Sequence, residues 1–506
     1  MKKSTALPAL LLLPAFFLLH SYNQLFGFVP VKTVLFYALL IYGILAVCYF
    51  ILLKLRVPAP KTELLLFSFS FFILFFAPLH DGYMAITFKS IISHYWVMLP
   101  LCCILLLLLS RKIITTKNIS PKIFPLLNLV MAGVLLSELF IAFTKVTEYK
   151  KDHNLIYPGK PLAEKYVSPN LPDSSKPDIY FLLLDEYTNN KTLKKIWNYD
   201  NSQVTDWLSK NDFYVPANSR CNYSFTVYSI SSTFNMNYIE KKIGWDGTND
   251  FTLLKAQKSL SNNETFSILK KEDYLIRFIA PFRNTIEING LKNFFDFMQD
   301  GVIPQQTLPG SIDISITRKL EFKNNPTLAE DMNRKYHDIG FTADKIKQTT
   351  DSSSNRRPHF VYGHFMITHV PHIFGPNGKM MPLNGSLKTD PFRSYTAQVN
   401  YANTIMTEVV ENIKKHNKPN TIIIIEGDHG FRHLPDSLNN PFCLPNFTAI
   451  YFPDKNYSKL YDTITPVNIF RVIFDQYFHQ DFPLLKDQST IVKDYFDSAT
   501  VLKHGL

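Results

Sequence analysis

Five long apolar runs fill the first third of the 506-residue chain and constrain its fold more than any other feature. They span residues 5–20, 30–53, 63–80, 88–109 and 123–144. A helix needs about 20 apolar residues to cross a hydrocarbon core of about 30 Å, and most of these runs approach or exceed that length. The first run follows Lys2 and Lys3 as a signal peptide would, but the absence of a small-residue cleavage pattern before Ser21 favours a retained helix. We therefore predict an N-terminal bundle of about five transmembrane helices.

The net charge of +11 is concentrated in this apolar part. Residues 1–150 hold 13 basic and 4 acidic residues, whereas the rest of the chain holds 40 and 38. A nucleic-acid-binding protein needs a basic groove with stacking aromatics on its polar part, so this distribution excludes that class. Five Cys among 506 residues exclude a disulfide scaffold, and a hydrophobic content of 46% excludes a disordered chain.

Basic residues near the apolar runs predict the orientation of the helices. With the N-terminus in the cytoplasm, nine basic residues fall on the inner side and four on the outer side. An odd number of spans then carries everything after about residue 145 out of the cytoplasm, and cleavage of the first run would leave this orientation unchanged. We predict a multi-pass protein of the inner membrane with a transmembrane domain (1–146), a proline-rich linker (147–176) and an extracytoplasmic domain (177–506).

Short apolar segments in the polar part predict a parallel sheet. The segments at 178–184, 360–362 and 421–425 are too short to span a membrane and are typical of buried strands. An amphipathic stretch at about 391–415 precedes the last of them. Strands that alternate with helical segments predict an α/β domain with helices on both faces of the sheet.

Metal-binding residue types follow each of these strands. They are Asp185, Glu186, His364, His369, Asp428 and His429. In open α/β sheets, ligands bind outside the carboxyl ends of the strands, and carboxylates with neutral imidazole suit Zn²⁺ or Mn²⁺. One Asp after a strand is often only a helix N-cap, and a lone His is more often structural. Three clusters in one domain favour a divalent-metal site.

These motifs resemble the alkaline-phosphatase/sulfatase superfamily. More narrowly, the chain resembles the membrane-anchored branch that includes lipoteichoic acid synthases and phosphoethanolamine transferases, in which five membrane helices precede an extracytoplasmic catalytic domain. The resemblance covers residues 177–480 at the level of motifs. It implies an alkaline-phosphatase-like, three-layer α/β/α domain.

The resemblance also implies the metal ligands. The segment that ends in Asp185 and Glu186 is similar to the family's first strand, whose terminal acidic residue binds the metal, and the choice between these two residues stays open. The Asp428-His429 pair is similar to the second metal motif and supplies two more ligands.

The nucleophile and the proton donor are implied in the same way. The family's transferases use a Thr, which falls on Thr226 here and is expected both to attack and to contact the metal. Ser224 is the alternative nucleophile, and an ordinary N-cap is the structural alternative for either residue. A hydroxyl at a helix N-terminus suits phosphate binding. The substrate-binding histidine falls on His369, and His364 or His369 is expected to protonate the leaving group or to bind the phosphate.

We therefore expect a metal-dependent transferase that moves a phosphoethanolamine or phosphoglycerol group through a phosphothreonine. The donor would be a membrane phospholipid, and the acceptor a glycan or lipid of the envelope. A sulfatase needs a Cys/Ser-x-Pro-x-Arg motif, and the nearest match, at Cys443 and Pro445, lacks the Arg. The alternatives are a sulfatase-like phosphodiesterase that passes the group to water and a catalytically silent envelope-binding protein.

Two cysteines lie outside the apolar part of the chain. Cys221 and Cys443 flank the expected site, and an extracytoplasmic compartment permits disulfides. The sequence leaves open whether they form a bridge or remain two free thiols.

Overall fold

The computed structural model describes residues 5–24, 26–87, 95–151, 161–239, 250–261, 263–280, 285–288, 302–312, 326–353, 356–381, 391–433 and 440–492. The chain divides into two compact units. The helical unit comprises residues 1–154, 295–325 and 496–505, and the sheet unit comprises residues 155–294, 326–495 and 506.

Helices and strands succeed one another along the described chain, with most of the strands in its second half. The helices are α1 (Leu7–Gln24), α2 (Val31–Lys54), α3 (Ala59–Thr87), α4 (Tyr95–Thr115), α5 (Ile123–Lys151), α6 (Leu162–Lys165), α7 (Asn190–Trp197), α8 (Ser202–Lys210), α9 (Thr226–Asn235), α10 (Asp250–Ser261), α11 (Glu264–Lys271), α12 (Val302–Gln305), α13 (Leu308–Ile312), α14 (Pro326–Lys347), α15 (Pro391–His416) and α16 (Pro466–Phe478). The strands are β1 (Asp178–Leu184), β2 (Leu275–Ala280), β3 (Thr285–Ile288), β4 (His359–Phe365), β5 (Thr421–Gly427) and β6 (Thr448–Tyr451).

Helices α1 to α5 occupy the five predicted apolar runs. Four of them, α2 to α5, contain stretches long and apolar enough to cross a membrane. Their outward-facing apolar residues, such as Leu39 and Phe140, are exposed in the absence of a membrane. Helix α1, which we predicted as a span, is not among the four, and its residues Leu13 and Phe17 are buried. The first run therefore forms an inner helix of the unit.

Polar contacts fix α1 against α5. The Asn23 side chain donates to the backbone carbonyl of Glu138 at 2.8 Å and to its carboxylate at 2.7 Å. The His20 ring lies 2.7 Å from the other oxygen of the same carboxylate. Buried polar groups among apolar helices need such partners, so this network accounts for the polar residues at the end of α1.

A short segment from the middle of the sequence belongs to the helical unit. Ile303 of α12 is buried against Phe17 and Leu74. The Ser21 hydroxyl donates to the side-chain carbonyl of Gln306 at 2.5 Å. Helices α12 and α13 therefore belong to the helical unit, although in the sequence they lie between two parts of the sheet unit.

A six-stranded sheet forms the centre of the sheet unit, in the order β3-β2-β4-β1-β5-β6. Strands β2, β4, β1 and β5 are parallel, and β3 and β6 are antiparallel edge strands. The three strands predicted from the sequence are β4, β1 and β5, which lie side by side and are buried along their whole length. The predicted α/β sheet is confirmed.

Helices cover both faces of this sheet. Tyr180 and Leu182 of β1 pack in one core with Ile346 of α14 and Val409 of α15. The intervening Phe181 points to the other face, where its ring contacts Phe234 of α9 and Phe470 of α16. Alternate residues of a strand face opposite sides, so β1 is buried between two helical layers.

The register of the central strands brings their carboxyl ends to one edge. Leu184 at the end of β1 pairs with Phe365 of β4 on one side and with Gly427 of β5 on the other. Asp185 and Asp428 therefore follow adjacent strands at the same level. Gly427 is needed there, since a Cβ on this residue would lie 2.1 Å from the carbonyl oxygen of Tyr187.

The opposite, amino edge of the sheet carries a buried ion pair. The Asp178 carboxylate accepts from the Arg356 guanidinium at 2.5 Å, from the Asn417 amide at 2.8 Å and from the backbone N–H of His359 at 2.8 Å. The Lys418 ammonium lies 3.5 Å away. Because the buried charge is matched by cations and donors, this cluster holds the starts of β1, β4 and β5 together.

Candidate active site

Three buried side chains converge where β1 and β5 end. Ligand atoms of Asp185, Asp428 and His429 all lie within 4.8 Å of one another. Asp185 directly follows β1, and the other two directly follow β5. The parallel register of these strands, rather than any local sequence element, therefore creates the cluster.

The cluster fits a divalent cation. Among the described residues, Oδ1 of Asp185 and Oδ2 of Asp428 are buried without a hydrogen-bond partner. Burial, and then the neighbouring Asp428 carboxylate, raise the pKa of Asp185 to about 7. Two buried like charges with unpaired oxygens are costly unless a cation joins them, and two carboxylates with one imidazole are ligands that Zn²⁺ and Mn²⁺ accept.

Hydrogen bonds orient both ligands that follow β5. One oxygen of Asp428 accepts from the backbone N–H groups of Glu186 at 3.0 Å and of His429 at 2.9 Å. The Nδ1 atom of His429 lies 2.8 Å from the carbonyl oxygen of Gly430, a contact in which Nδ1–H must donate. The Nε2 atom of neutral His429 therefore carries the lone pair that a metal or a hydroxyl proton needs.

Thr226 reaches this cluster from the start of α9. Its Oγ1 atom lies 3.2 Å from Nε2 of His429, and the residue is partly exposed. The N-cap position of α9 is Phe225, so Thr226 is the first helical residue rather than a cap. The free backbone N–H groups and dipole of a helix N-terminus favour an anion beside this hydroxyl.

The alternative nucleophile, Ser224, has a structural position instead. Ser224 is buried, and its hydroxyl oxygen accepts from the backbone N–H of Val492 at 2.8 Å. The structure thus brings Thr226, and not Ser224, to the cluster.

The two predicted histidines occupy different positions. His364 is fully buried behind Asp185, with Nε2 at 3.1 Å from the carboxylate and Nδ1 at 3.0 Å from the Tyr362 hydroxyl. Burial lowers the pKa of His364 to about 4, so a neutral ring donates to Asp185 and accepts from Tyr362. His369 is partly exposed, and its Nδ1 lies 2.5 Å from the carbonyl oxygen of Val370. His364 is therefore placed to orient Asp185, whereas His369 is placed at the surface.

The Glu186 carboxylate has partners outside the three-residue cluster. One oxygen of its buried carboxylate accepts from Nε of Arg432 at 3.0 Å, and His433 lies 3.6 Å from the same oxygen. Burial would raise the pKa of Glu186, but the charges of His369, Arg432 and His433 lower it to about 2. The sequence left Asp185 and Glu186 as alternative ligands, and the structure groups only Asp185 with Asp428 and His429.

Arg432 is a residue of this region that the sequence patterns did not single out. Its guanidinium carbon lies 5.4 Å from the centre of the Phe225 ring. The one available signal was its position three residues after His429, in the same loop.

Cys221 and Cys443 lie together in a small buried cluster with Leu444. They are not joined by a disulfide, and Sγ of Cys221 lies 3.8 Å from the carbonyl oxygen of Cys443. Burial raises the pKa of both thiols, so they pack as apolar groups in this state.

A protein-family comparison matches the chain to the family described as Sulfatase over residues 198–474. The matched region includes Thr226, His369, Asp428 and His429 and begins after Asp185. A search of curated proteins found no match.

Solved structures are similar to larger parts of the chain. The Zn complex of the C-terminal periplasmic domain of EcEptC from Escherichia coli is similar at 11% identity and a TM-score of 0.41, covering 67% of this chain and 99% of that one. The integral membrane protein lipooligosaccharide phosphoethanolamine transferase A from Neisseria meningitidis is similar at 11% identity and a TM-score of 0.36, covering 91% and 94%. A glycosaminoglycan-metabolism protein from Bacteroides thetaiotaomicron is similar at 11% identity and a TM-score of 0.36, covering 60% and 72%.

Proposed function

Because the chain belongs to the sulfatase family, and so to the alkaline-phosphatase superfamily of enzymes, we propose that it is a membrane-anchored, metal-dependent transferase. It moves a phospho-head-group of the phosphoethanolamine or phosphoglycerol type from a phospholipid to a glycan or lipid acceptor. The phosphorylated side chain is that of Thr226. The observation that carries this proposal is the 3.2 Å approach of its hydroxyl to Nε2 of His429, beside the two buried carboxylates.

A hydroxyl in this position favours transfer of a phosphoryl group over sulfate-ester chemistry. A sulfatase of this family needs a Cys or Ser that can become formylglycine, and a Thr cannot supply that group. An unmodified hydroxyl can form a covalent phosphoester, which splits the transfer into two easier steps.

The transfer has two steps, first from the phospholipid to Thr226 and then from Thr226 to the acceptor. In the first, Thr226 Oγ bonds to phosphorus while the bond from phosphorus to the glycerol oxygen breaks. The hydroxyl proton of Thr226 ends on the departing diacylglycerol, with His369 as the group that relays it. In the second, an acceptor hydroxyl attacks the same phosphorus, the bond to Thr226 breaks, and the acceptor proton returns to the Thr226 oxygen.

The remaining polar residues hold this arrangement in place. His364 and Thr368 orient Asp185, the first through its carboxylate and the second through its backbone carbonyl. Bound by Asp185, Asp428 and His429, a Zn²⁺ or Mn²⁺ ion would acidify the Thr226 hydroxyl and neutralise charge on the phosphoryl oxygens. Thr226 is the fourth group that such an ion would contact.

The helical unit supports a lipid donor. Four apolar helices are long enough to keep the chain in a membrane, where phospholipid is concentrated. We place the protein in the inner membrane with the sheet unit outside the cytoplasm, because the excess of basic residues that flank the apolar runs then lies on the cytoplasmic side.

Incubation of the full chain in detergent with a head-group-labelled phospholipid tests the proposal. We expect diacylglycerol release together with label on Thr226 and then on an added acceptor. Release of the free labelled head group without a modified acceptor would instead identify the protein as a phosphodiesterase. An absence of both products would support the silent, envelope-binding alternative.

A further inference from the structure

Arg432 is a cation in the loop after the metal cluster that has no role in the mechanism above. Two of its contacts are with direct chain neighbours of site residues. Its Nε donates at 3.0 Å to Glu186, which follows Asp185, and its guanidinium lies 5.4 Å from the ring of Phe225, which precedes Thr226. The guanidinium is thus fixed between the chain neighbours of a metal ligand and of the nucleophile.

We infer that Arg432 binds the non-bridging oxygens of the substrate phosphoryl group and that Glu186 is the residue that positions it, rather than a metal ligand. This inference rests on the proposed function for the identity of the reaction. It also resolves why two acidic residues follow β1, since one faces Asp428 and His429 and the other faces Arg432.

Burial supports this division of roles. The Glu186 side chain has an exposure of 0%, whereas the Arg432 side chain has an exposure of 23%. The carboxylate is therefore the fully buried partner, and the guanidinium keeps access to solvent. Contact with the flat face of Phe225 restricts the orientation of the guanidinium further.

The chemistry of the guanidinium fits a phosphoryl group. Its Nε–H is one of five donors, and the terminal nitrogens present theirs in a planar fork that matches two oxygens of a phosphate. Lysine carries a single point of charge, so it could not contact Glu186 and a phosphoryl group with the same geometry.

Charge balance gives an independent reason to assign Arg432 to phosphoryl binding. Asp185, Glu186 and Asp428 place three buried carboxylates in one region. A divalent ion offsets two of these charges, and Arg432 offsets the third. Without Arg432, less positive charge would face an incoming phosphodiester anion.

Binding of inorganic phosphate to the metal-loaded full chain in detergent tests the inference without requiring turnover. One charge-assisted hydrogen bond corresponds to about 10- to 100-fold in affinity, so the loss of two should lower affinity by about 100-fold or more. We expect that loss in Arg432→Gln, with intermediate affinity in Arg432→Lys.

Glu186→Gln should weaken phosphate binding but retain the wild-type metal content, whereas Asp185→Asn should lose the metal. Arg357→Gln, which breaks an Arg–Asp pair of 2.7 Å at the other edge of the sheet, is the matched control and should leave phosphate affinity unchanged.

Phosphate affinity of the wild-type level in Arg432→Gln would overturn the role of Arg432, and loss of the metal in Glu186→Gln would overturn the role of Glu186. Melting temperatures of each variant with metal bound identify a variant that has failed to fold, and in that case Arg432→Lys decides the question by the same criterion. The proposed function fails separately, if the wild-type protein acquires no adduct from phospholipid.

Discussion

The Thr226 hydroxyl lies 3.2 Å from Nε2 of His429, although 203 positions separate the two residues in the chain. The contact exists because α9 begins at the same edge of the sheet at which β5 ends. Ser229, one turn into α9, strengthens this junction, since its hydroxyl donates to the carbonyl oxygen of Asp428 at 2.6 Å. The nucleophile and the metal cluster are therefore held by one rigid junction between a helix and a strand.

Removal of one cluster carboxylate should raise the melting temperature without metal and lower it with metal. In chelator-treated protein we expect Asp185→Asn to raise the melting temperature, because Asp185 and Asp428 are buried like charges. With Zn²⁺ added, the wild type should be the more stable protein, since the variant lacks a ligand. Loss of an outer-sphere partner costs about 10- to 100-fold in metal affinity, and loss of a direct ligand should cost more. Thermal melting and metal titration measure both effects, and equal Zn²⁺ affinity in the two proteins would contradict the assignment.

Gly427→Ala should disturb the cluster through the backbone. The added Cβ would lie 2.1 Å from the carbonyl oxygen of Tyr187, so the chain after β1 or after β5 must move. We expect a destabilisation of about 1–3 kcal/mol together with weaker metal binding. Gly340→Ala is the control, because nothing lies within 4 Å of its added Cβ within α14 and a helical Ala is favoured by up to about 1 kcal/mol. Wild-type metal affinity in Gly427→Ala would show that the site tolerates displacement of this junction.

Asp178→Asn should destabilise the sheet unit without changing the metal site. The substitution removes the carboxylate shared by the partly buried Arg356 and the buried Lys418 and leaves Arg356 with Asp351 at 3.3 Å; loss of one partner costs about 3–5 kcal/mol at buried pairs. Glu408→Gln is the matched control, because its pair with Lys347 is exposed and such pairs contribute less than about 1 kcal/mol. Denaturation monitored by circular dichroism compares the two, and similar losses in both variants would refute the importance of the buried cluster.

His359 should make stability depend on pH. Burial, followed by the charges of Arg356 and Arg277, lowers the pKa of His359 from 6.5 to about 4. The unfolded chain then binds the proton more readily than the folded chain, so the stability contributed by neutral His359 is present above pH 6.5 and is lost as the pH falls toward 4. His359→Gln keeps an acceptor for the Arg277 guanidinium, which lies 3.1 Å from Nδ1 of the wild-type ring, but does not titrate. Its melting temperature should therefore fall less than that of the wild type between pH 7 and pH 4.5, and parallel curves would contradict this prediction.

The central strands were predictable because their pattern is local. The segments 178–184, 360–362 and 421–425 are apolar, short and bounded by polar residues, and they became β1, β4 and β5 with extensions of a few residues. The predicted amphipathic stretch at about 391–415 likewise forms helix α15. The edge strands β3 and β6 have four residues each, too few to produce a recognisable period.

The position of α1 and of α12–α13 depended on tertiary contacts instead. The run at 5–20 has the composition of a span, yet the polar residues at the end of its helix, His20 and Asn23, pair with Glu138 inside the helical unit. Nothing local to Ile303 indicates that it packs against Phe17, which is remote in sequence.

The candidate site was predictable in residue types but not in pairings. The sequence grouped Asp428 and His429 with either Asp185 or Glu186 and left that choice open. Strand order and register decide that Asp185 faces Asp428 while Glu186 faces Arg432. The same holds for His364 and His369, which lie five positions apart but differ in burial because one is inside β4 and the other is in the loop after it.

Peptide mass spectrometry of the metal-loaded full chain, after exposure to phospholipid, tests the central claim most directly. We predict a phospho-head-group adduct on Thr226 in the wild type. Thr226→Ser should retain the adduct, whereas the isosteric Thr226→Val should lack it and lose activity by about 10³-fold or more. An adduct on another residue, or an active Thr226→Val variant, would contradict the claim that this hydroxyl is the nucleophile.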